Sequence, residues 1–223
     1  MAALAVSGGL VCALMSPALA DRMVVGAVEN VQERAEAKFD QGLRMLDRLD
    51  PVLFEDLLRT GADARLLARL ADGSEITLGE NAEMLIDDFV YDPANGKGEM
   101  FVRVVKGAFL FVGGEIENVA GGKGVQIATA VGTLGIRGTK LWGGPIDDGF
   151  GVLVLDGTVE ITTAHGTVMV TAGTATMVRD QRAEAPAPWP RSKIARAFAT
   201  IRFRDEYPFS LAPPNRSPRH SAR

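Results

Sequence analysis

Val152-Leu153-Val154-Leu155-Asp156-Gly157-Thr158-Val159-Glu160-Ile161-Thr162 is a β-rich run broken once, at Asp156-Gly157. Its first four residues have the unbroken apolar character of a buried strand, and the last five alternate as a half-buried strand does. Asp-Gly readily supplies the positive φ of a tight hairpin, so the stretch predicts strand, turn, strand. The same grammar spreads outward from Ile76 to Val178. Glu75–Leu78, Phe101–Val105, Val125–Thr129 and Thr167–Val170 alternate or cluster β-branched residues. Asp72-Gly73, Asn95-Gly96, Gly113-Gly114, Gly121-Gly122 and His165-Gly166 punctuate them. Short strands with turn signals about every 8–12 residues mean a sandwich or barrel rather than βαβ units.

Composition is that of a globular protein, with 47% apolar and 23% charged residues in 223. A net charge of −4 argues against a general nucleic-acid binder, which carries a basic face.

Residues 1–20 carry no charge, and an apolar stretch from Ala2 to Met15 is followed by Ser16-Pro17 and then Ala18-Leu19-Ala20. Small residues at −3 and −1 fit a signal peptidase, which predicts cleavage after Ala20 and a periplasmic or secreted protein. Ser7, Gly8, Gly9, Ser16 and Pro17 interrupt the run before it reaches the roughly 20 apolar residues of a membrane span. No transmembrane helix is therefore expected in the mature chain. The one cysteine, Cys12, lies in this leader, so disulfides, thiolate metal sites and thiol catalysis are excluded after it.

Charge divides the remainder. Residues 21–182 hold sixteen Lys/Arg against twenty-five acids, and residues 183–223 hold eight against three. With seven prolines, that last segment reads as a basic, largely irregular tail unable to build a packed core, with a short helix over Ser192–Ala199 capped by Ser192. Such a tail either docks on anionic lipid, glycan or the acidic domain itself, or is a solvated linker.

The segment Glu29–Leu70 conflicts with the β pattern. Gln32–Lys38 and Asp63–Leu70 are rich in helix formers, and propensity alone favours helices there.

The stretch from Leu58 to Thr139 holds Arg59-Thr60-Gly61-Ala62, Ala71-Asp72-Gly73-Ser74 with Leu78-Gly79, Leu85–Pro93 and Lys106-Gly107. Phe111–Gly114 and Gly135-Ile136-Arg137-Gly138-Thr139 complete the set. In these residues the stretch resembles the FecR-domain family, and Asp50-Pro51-Val52 stands where that family has a turn. The resemblance implies an all-β, jelly-roll-like β-sandwich of many short strands over residues 21–182. It also implies strands at Val24–Glu33 and Leu66–Leu70 despite their helix formers, and leaves a short helix near Val52–Leu57. The iron-regulating members relay signals across a membrane through segments that this reading does not find here. What carries over is an exported module.

Candidate sites are few. Asp87, Asp88, Asp92 and Asn95-Gly96 lack the spacing of a calcium loop, since Phe89, Val90 and Pro93 fall at ligand positions, and they read as strand and hairpin turn. His165 lies in a turn and His220 in the tail, which makes no catalytic triad. Gly121–Gly124 lacks a following helix to help hold an anion. Neither metal nor cofactor is expected. Arg137, flanked by Thr133 and Thr139, offers a fork for a carboxylate or phosphate on a partner. Its structural alternative is an ion pair with an internal carboxylate such as Asp87. Glu115 and Glu117 would share a face if their segment were a strand, and could then pair as glycosidase carboxylates. The expectation is a non-enzymatic binding or signalling-accessory module of the cell envelope, meeting an envelope protein or a cell-wall glycan. Its alternatives are a scaffold held by the basic tail and an envelope carbohydrate-active enzyme.

Overall fold

A computed structural model describes residues 22–120 and 122–204. The expected leader and cleavage site, Cys12, His220 and the end of the tail lie outside the described residues. In chain order the strands are β1 (Val24–Gln32), β2 (Ala35–Phe39), β3 (Gly42–Met45), β4 (Pro51–Leu53), β5 (Leu57–Thr60), β6 (Arg65–Leu70), β7 (Glu75–Leu78) and β8 (Glu83–Asp92). They continue as β9 (Lys97–Lys106), β10 (Phe109–Val112), β11 (Gly124–Thr129), β12 (Gly132–Ile146), β13 (Gly149–Thr163), β14 (Gly166–Thr171), β15 (Ala175–Arg179) and β16 (Arg182–Ala183). One helix, α1 (Arg191–Ala199), follows.

The strands form one curled sheet that doubles back as two layers. The first runs β3-β2-β5-β8-β9-β11 and reaches the first half of β12. The second runs β4-β1-β6-β7-β10 and reaches the second half of β12. β13 follows β12 through both layers, with β14 beside its second half and β15 beside its first. All pairs are antiparallel except β9 with β11. Between the layers Val25, Leu66, Ile76 and Phe111 meet Met84, Val102, Ile127, Leu134 and Val159 in one core. The all-β sandwich is therefore as expected, and β1 and β6 are strands although their residues favour helix: burial of Val25, Val28, Leu66 and Ala68 outweighs propensity.

The Asp156-Gly157 expectation needs correcting. This dipeptide is no turn but the middle of β13, where the hairpin bends from one layer to the other. Between the pairs Arg137↔Thr158 and Lys140↔Asp156, Gly138 and Thr139 face Gly157 alone, a β-bulge. Gly138 and Gly157 both have positive φ, +62° and +73°. A Cβ on Gly157 would lie 2.2 Å from the Gly138 carbonyl oxygen, so the two backbones touch. The Thr139 hydroxyl donates to the Arg137 carbonyl at 2.8 Å, and its backbone N–H is taken by Glu117 Oε2 at 3.0 Å.

The helix expected near Val52–Leu57 is absent. The chain instead crosses between layers there, from β4 to β5, with Glu55 at φ +63°. Asp56, 1% exposed, holds the crossing: it accepts from Leu53 N–H at 2.9 Å, from Arg22 at 2.9 Å and from Arg44 at 2.7 Å.

Residues after β16 are mostly irregular, but α1 and its flanks cover the outer face of the second layer. Ile194, Ala197, Phe198 and Ile201, at helical spacing, pack with Trp189 on Leu110, Trp142, Leu153 and Ala175. The expectation that this segment builds no packed core is thus corrected for residues 189–201. Glycines on the sheet make the room, since a Cβ on Gly151 would lie 2.5 Å from Trp189 and one on Gly79 2.5 Å from the Thr200 carbonyl. Trp142 donates to Thr200 Oγ1 at 3.1 Å. The helix begins after Pro190 with no side-chain cap, so Ser192 is not the cap: proline at the N-cap position starts the helix one residue earlier. At the β12–β13 tip Asp147 accepts from Arg196 at 2.6 Å and Lys193 at 3.1 Å. Of the readings weighed for the basic segment, docking on the acidic domain itself describes these contacts. Among the described residues no helix is long and apolar enough to cross a membrane.

Two outcomes are expected. Gly138→Ala, with open space around its Cβ, should cost about 1–2 kcal/mol of left-handed strain, whereas Gly157→Ala should lose more than about 3 kcal/mol by adding backbone overlap, both read by urea denaturation. The hydrogen bonds of Arg196 and Lys193 lower the Asp147 pKa to about 2, so this clamp strengthens the fold above the ordinary carboxylate range and is lost as pH falls from about 4 towards 2. Tryptophan fluorescence of Trp142 and Trp189 should report that loosening, and Asp147→Asn should flatten the acid transition.

Candidate interaction face

Alternation along β12 turns Leu134 and Ile136 into the core and Thr133, Gly135 and Arg137 outward. The register sets Gln126 and Ala128 of β11 beside Gly135 and Thr133, and Thr158, Glu160 and Thr162 of β13 beside Arg137, Gly135 and Thr133. β14 adds Thr171, Met169 and Thr167. The outcome is a flat hydroxyl-rich face with a shallow gap at Gly135, where a Cβ would meet nothing closer than 3.8 Å.

Arg137 is exposed and its guanidinium has no ion pair or hydrogen bond among the described residues. The alternative pairing with Asp87 does not occur, because Asp87 sits on β8 opposite the β9 strand and is taken by Arg103. Thr133 shares the outer face with Arg137. Thr139 does not: it is 4% exposed, drawn into the bulge, where its hydroxyl meets the Arg137 and Thr158 carbonyls. Of the three residues singled out from the sequence, the fold brings two to one surface and turns the third into its support.

Glu115 and Glu117 are not a strand pair. They open a single-turn 3₁₀ helix, Glu115–Asn118, which sends Glu115 to solvent and Glu117 inward. Burial pushes the Glu117 carboxyl above its usual range, opposed by the backbone N–H groups of Thr139 and Gly138. Its Oε1 is buried without a hydrogen bond, against Gly113, whose Cβ would lie 2.1 Å away. Glu117 thus buttresses the bend rather than a substrate. Asp72 supports the same loop, accepting from Ser74 N–H at 3.1 Å and Ser74 Oγ at 2.7 Å. His165 is exposed in the β13–β14 turn, and Asp92 caps the β8–β9 turn by accepting from the Asn95 N–H, while the Gly96 N–H donates to the Pro93 carbonyl. Among the described residues no three potential ligands gather to hold a metal.

A second feature escaped the sequence reading. Arg59 of the Arg-Thr-Gly-Ala stretch stands in a ladder of alternating charge on the outer face of the first layer. Arg34 pairs with Glu36 at 2.8 Å, Glu36 with Arg59 at 2.9 Å, Arg59 with Glu83 at 3.1 Å and Glu83 with Lys106 at 3.1 Å. Two carboxylates serve three cations, and the cations stand at both ends. They line an open cleft of about 490 Å³ with Leu43, Thr60, Gly61 and Asn81. No motif signals the ladder, because its members come from the β1–β2 turn and from β2, β5, β8 and β9, which meet only through their register.

Residues 56–160 match the family model for FecR protein. Two crystal structures of a candidate anti-sigma factor from Parabacteroides distasonis ATCC 8503 share the fold, at 15% and 13% identity and a TM-score of 0.50 each. The match covers 62% of this chain and 62% of each of those chains, so this chain spans about three fifths of their length. No curated protein matches.

Because burial raises the Glu117 pKa, its ionised form is disfavoured in the fold, and its contribution is most favourable below the ordinary carboxylate range and declines as pH rises through the raised value. Glu117→Gln, which keeps an oxygen for Thr139 N–H, should therefore gain stability relative to the unmodified protein as pH rises from about 4 to 7, measured by urea denaturation across that range.

Proposed function

From the match of residues 56–160 to the FecR family model, we propose that the protein is an exported, non-catalytic signalling-accessory module that binds another protein of the cell envelope. The observation that carries the proposal is Arg137: an arginine of the motif that resembles the family's, set on β12 beside the bend, exposed, and without a partner among the described residues. Its planar fork suits a carboxylate, and the surrounding hydroxyls of Thr133, Thr158 and Thr162 suit a polar main chain or side chain. Export is supported by the uncharged apolar leader ending at Ala18-Leu19-Ala20.

A carbohydrate-active enzyme is disfavoured, because Glu117 is committed to the Thr139 backbone and diverges from Glu115. A tail-held scaffold is disfavoured as well, since Lys193, Arg196 and Arg204 are spent on carboxylates of the same chain.

Cross-linking mass spectrometry on intact cell envelopes tests the reading. One envelope protein should cross-link repeatedly to the face around Thr133 and Arg137, and Arg137→Ala should lower its yield at least tenfold, or about 1.4 kcal/mol of binding, while leaving thermal stability unchanged. Retention with the cell wall and no protein cross-link would point to a glycan instead. An unprocessed leader by intact mass would remove the export step.

A further inference from the structure

The strand β3 ends the order of the first layer and pairs with β2 alone. Hydrogen-bonded and non-hydrogen-bonded pairs alternate along an antiparallel ladder. Leu46 N–H donates to the Ala35 carbonyl at 2.9 Å, so with pairs Glu36↔Met45, Ala37↔Arg44 and Lys38↔Leu43 the backbone of Arg44 faces β2. The N–H and C=O groups of Leu43 and Met45 therefore point away from the sheet. Their side chains are also uncovered, at 55% and 51% exposure. Proteins usually blunt such an edge with charge or proline, as Pro51 does on β4 at the other end of the order. The Arg44 side chain cannot do so here, because it turns inward to Asp56.

The surface beside this edge is cationic although the domain as a whole is acidic. Leu43 lies on the rim of the cleft whose ladder has a spare cation, and Lys38, directly across from Leu43, is exposed with no partner among the described residues. The described chain also ends close by. Arg204 N–H donates to Gln32 Oε1 at 2.8 Å and its guanidinium pairs with Glu33 at 2.6 Å, one residue before Arg34. The next residues are Asp205-Glu206-Tyr207-Pro208-Phe209-Ser210-Leu211.

We propose that residues 205–211 of this chain occupy the cleft and add as an antiparallel strand to β3, with Asp205 and Glu206 at the cations and Tyr207, Phe209 and Leu211 over Leu43 and Met45. Seven extended residues span roughly 23 Å, enough to pass the β2–β3 hairpin. The period-2 spacing puts the three apolar side chains on one face, and the same parity aims their N–H groups at β3. Pro208, which has no N–H, then faces outward on the new edge, the place a strand tolerates proline. A second copy of the chain at this edge would bring its own cations to the same face, whereas the acidic pair complements them.

Residue-resolved amide exchange by NMR, on the protein with its C-terminus intact, tests the strand. The Leu43 and Met45 amides should be protected, and Asp205→Lys/Glu206→Lys or Phe209→Ser should speed their exchange at least about tenfold while the Arg44 amide, bonded to β2, stays protected. Open-edge exchange at Leu43 and Met45 in the unmodified protein would overturn the proposal. So would protection that survives in the variants, with light scattering showing whether a second copy supplies it, and so would loss at Arg44 too, which reports melting of the β2–β3 hairpin.

Discussion

The backbone contact between Gly138 and Gly157 is the constraint on which the sandwich depends. β12 and β13 each contribute to both layers, and a hairpin that long can serve two sheets only by bending where two strands meet without Cβ atoms between them. The bend is then secured from three sides: the Thr139 hydroxyl closes the bulge, Glu117 takes its amide, and Gly113 donates to the Thr139 carbonyl at 2.9 Å. On one side of the bend β12 shows its Thr133–Arg137 face to solvent; on the other it turns Trp142 out under α1. The open face and the strapped face are two consequences of one corner.

Electrostatics divides the labour between rigid and available charge. Asp56 is buried with two arginines at the crossing between layers, and removing one partner of such a group leaves a desolvated charge behind. Asp147 and Glu33 hold the segment after β16 from the surface, at contacts that salt weakens. Lys193, Arg196 and Arg204 of the described C-terminal segment are consumed in this way, whereas the guanidinium of Arg137 has no ion pair among the described residues.

Much of the fold was legible. β7, β9, β11, β13 and β14 follow β-branched runs, and the turns at Asp72-Gly73 and Asn95-Gly96 lie where glycine signals them. Ala35–Phe39 was not legible from its residues, because Ala-Glu-Ala-Lys favours helix and only pairing with β3 and β5 holds it extended. The family motif corrected the neighbouring segments but not Val52–Leu57, where the need to change layers defeats a local preference. Asp156-Gly157 misled for a related reason: the same positive φ serves a hairpin or a bend, and the partner strand decides which. The helix after Pro190 was visible, yet its seat on Trp142 and Ala175 was not, since those residues lie far away in the chain.

By itself the sequence determined the class of fold, the motifs that resemble the FecR family's and the uneven charge, because alternation, glycine punctuation and composition are local properties of the chain. Only the tertiary structure decided what the motif residues do. Arg137 has no ion pair among the described residues, since Asp87 is taken by Arg103; Thr139 is internal because a bulge turns it inward; Glu115 and Glu117 diverge because a 3₁₀ turn replaces a strand. Each outcome depends on register between strands distant in sequence, and register is set by the closing of the whole core.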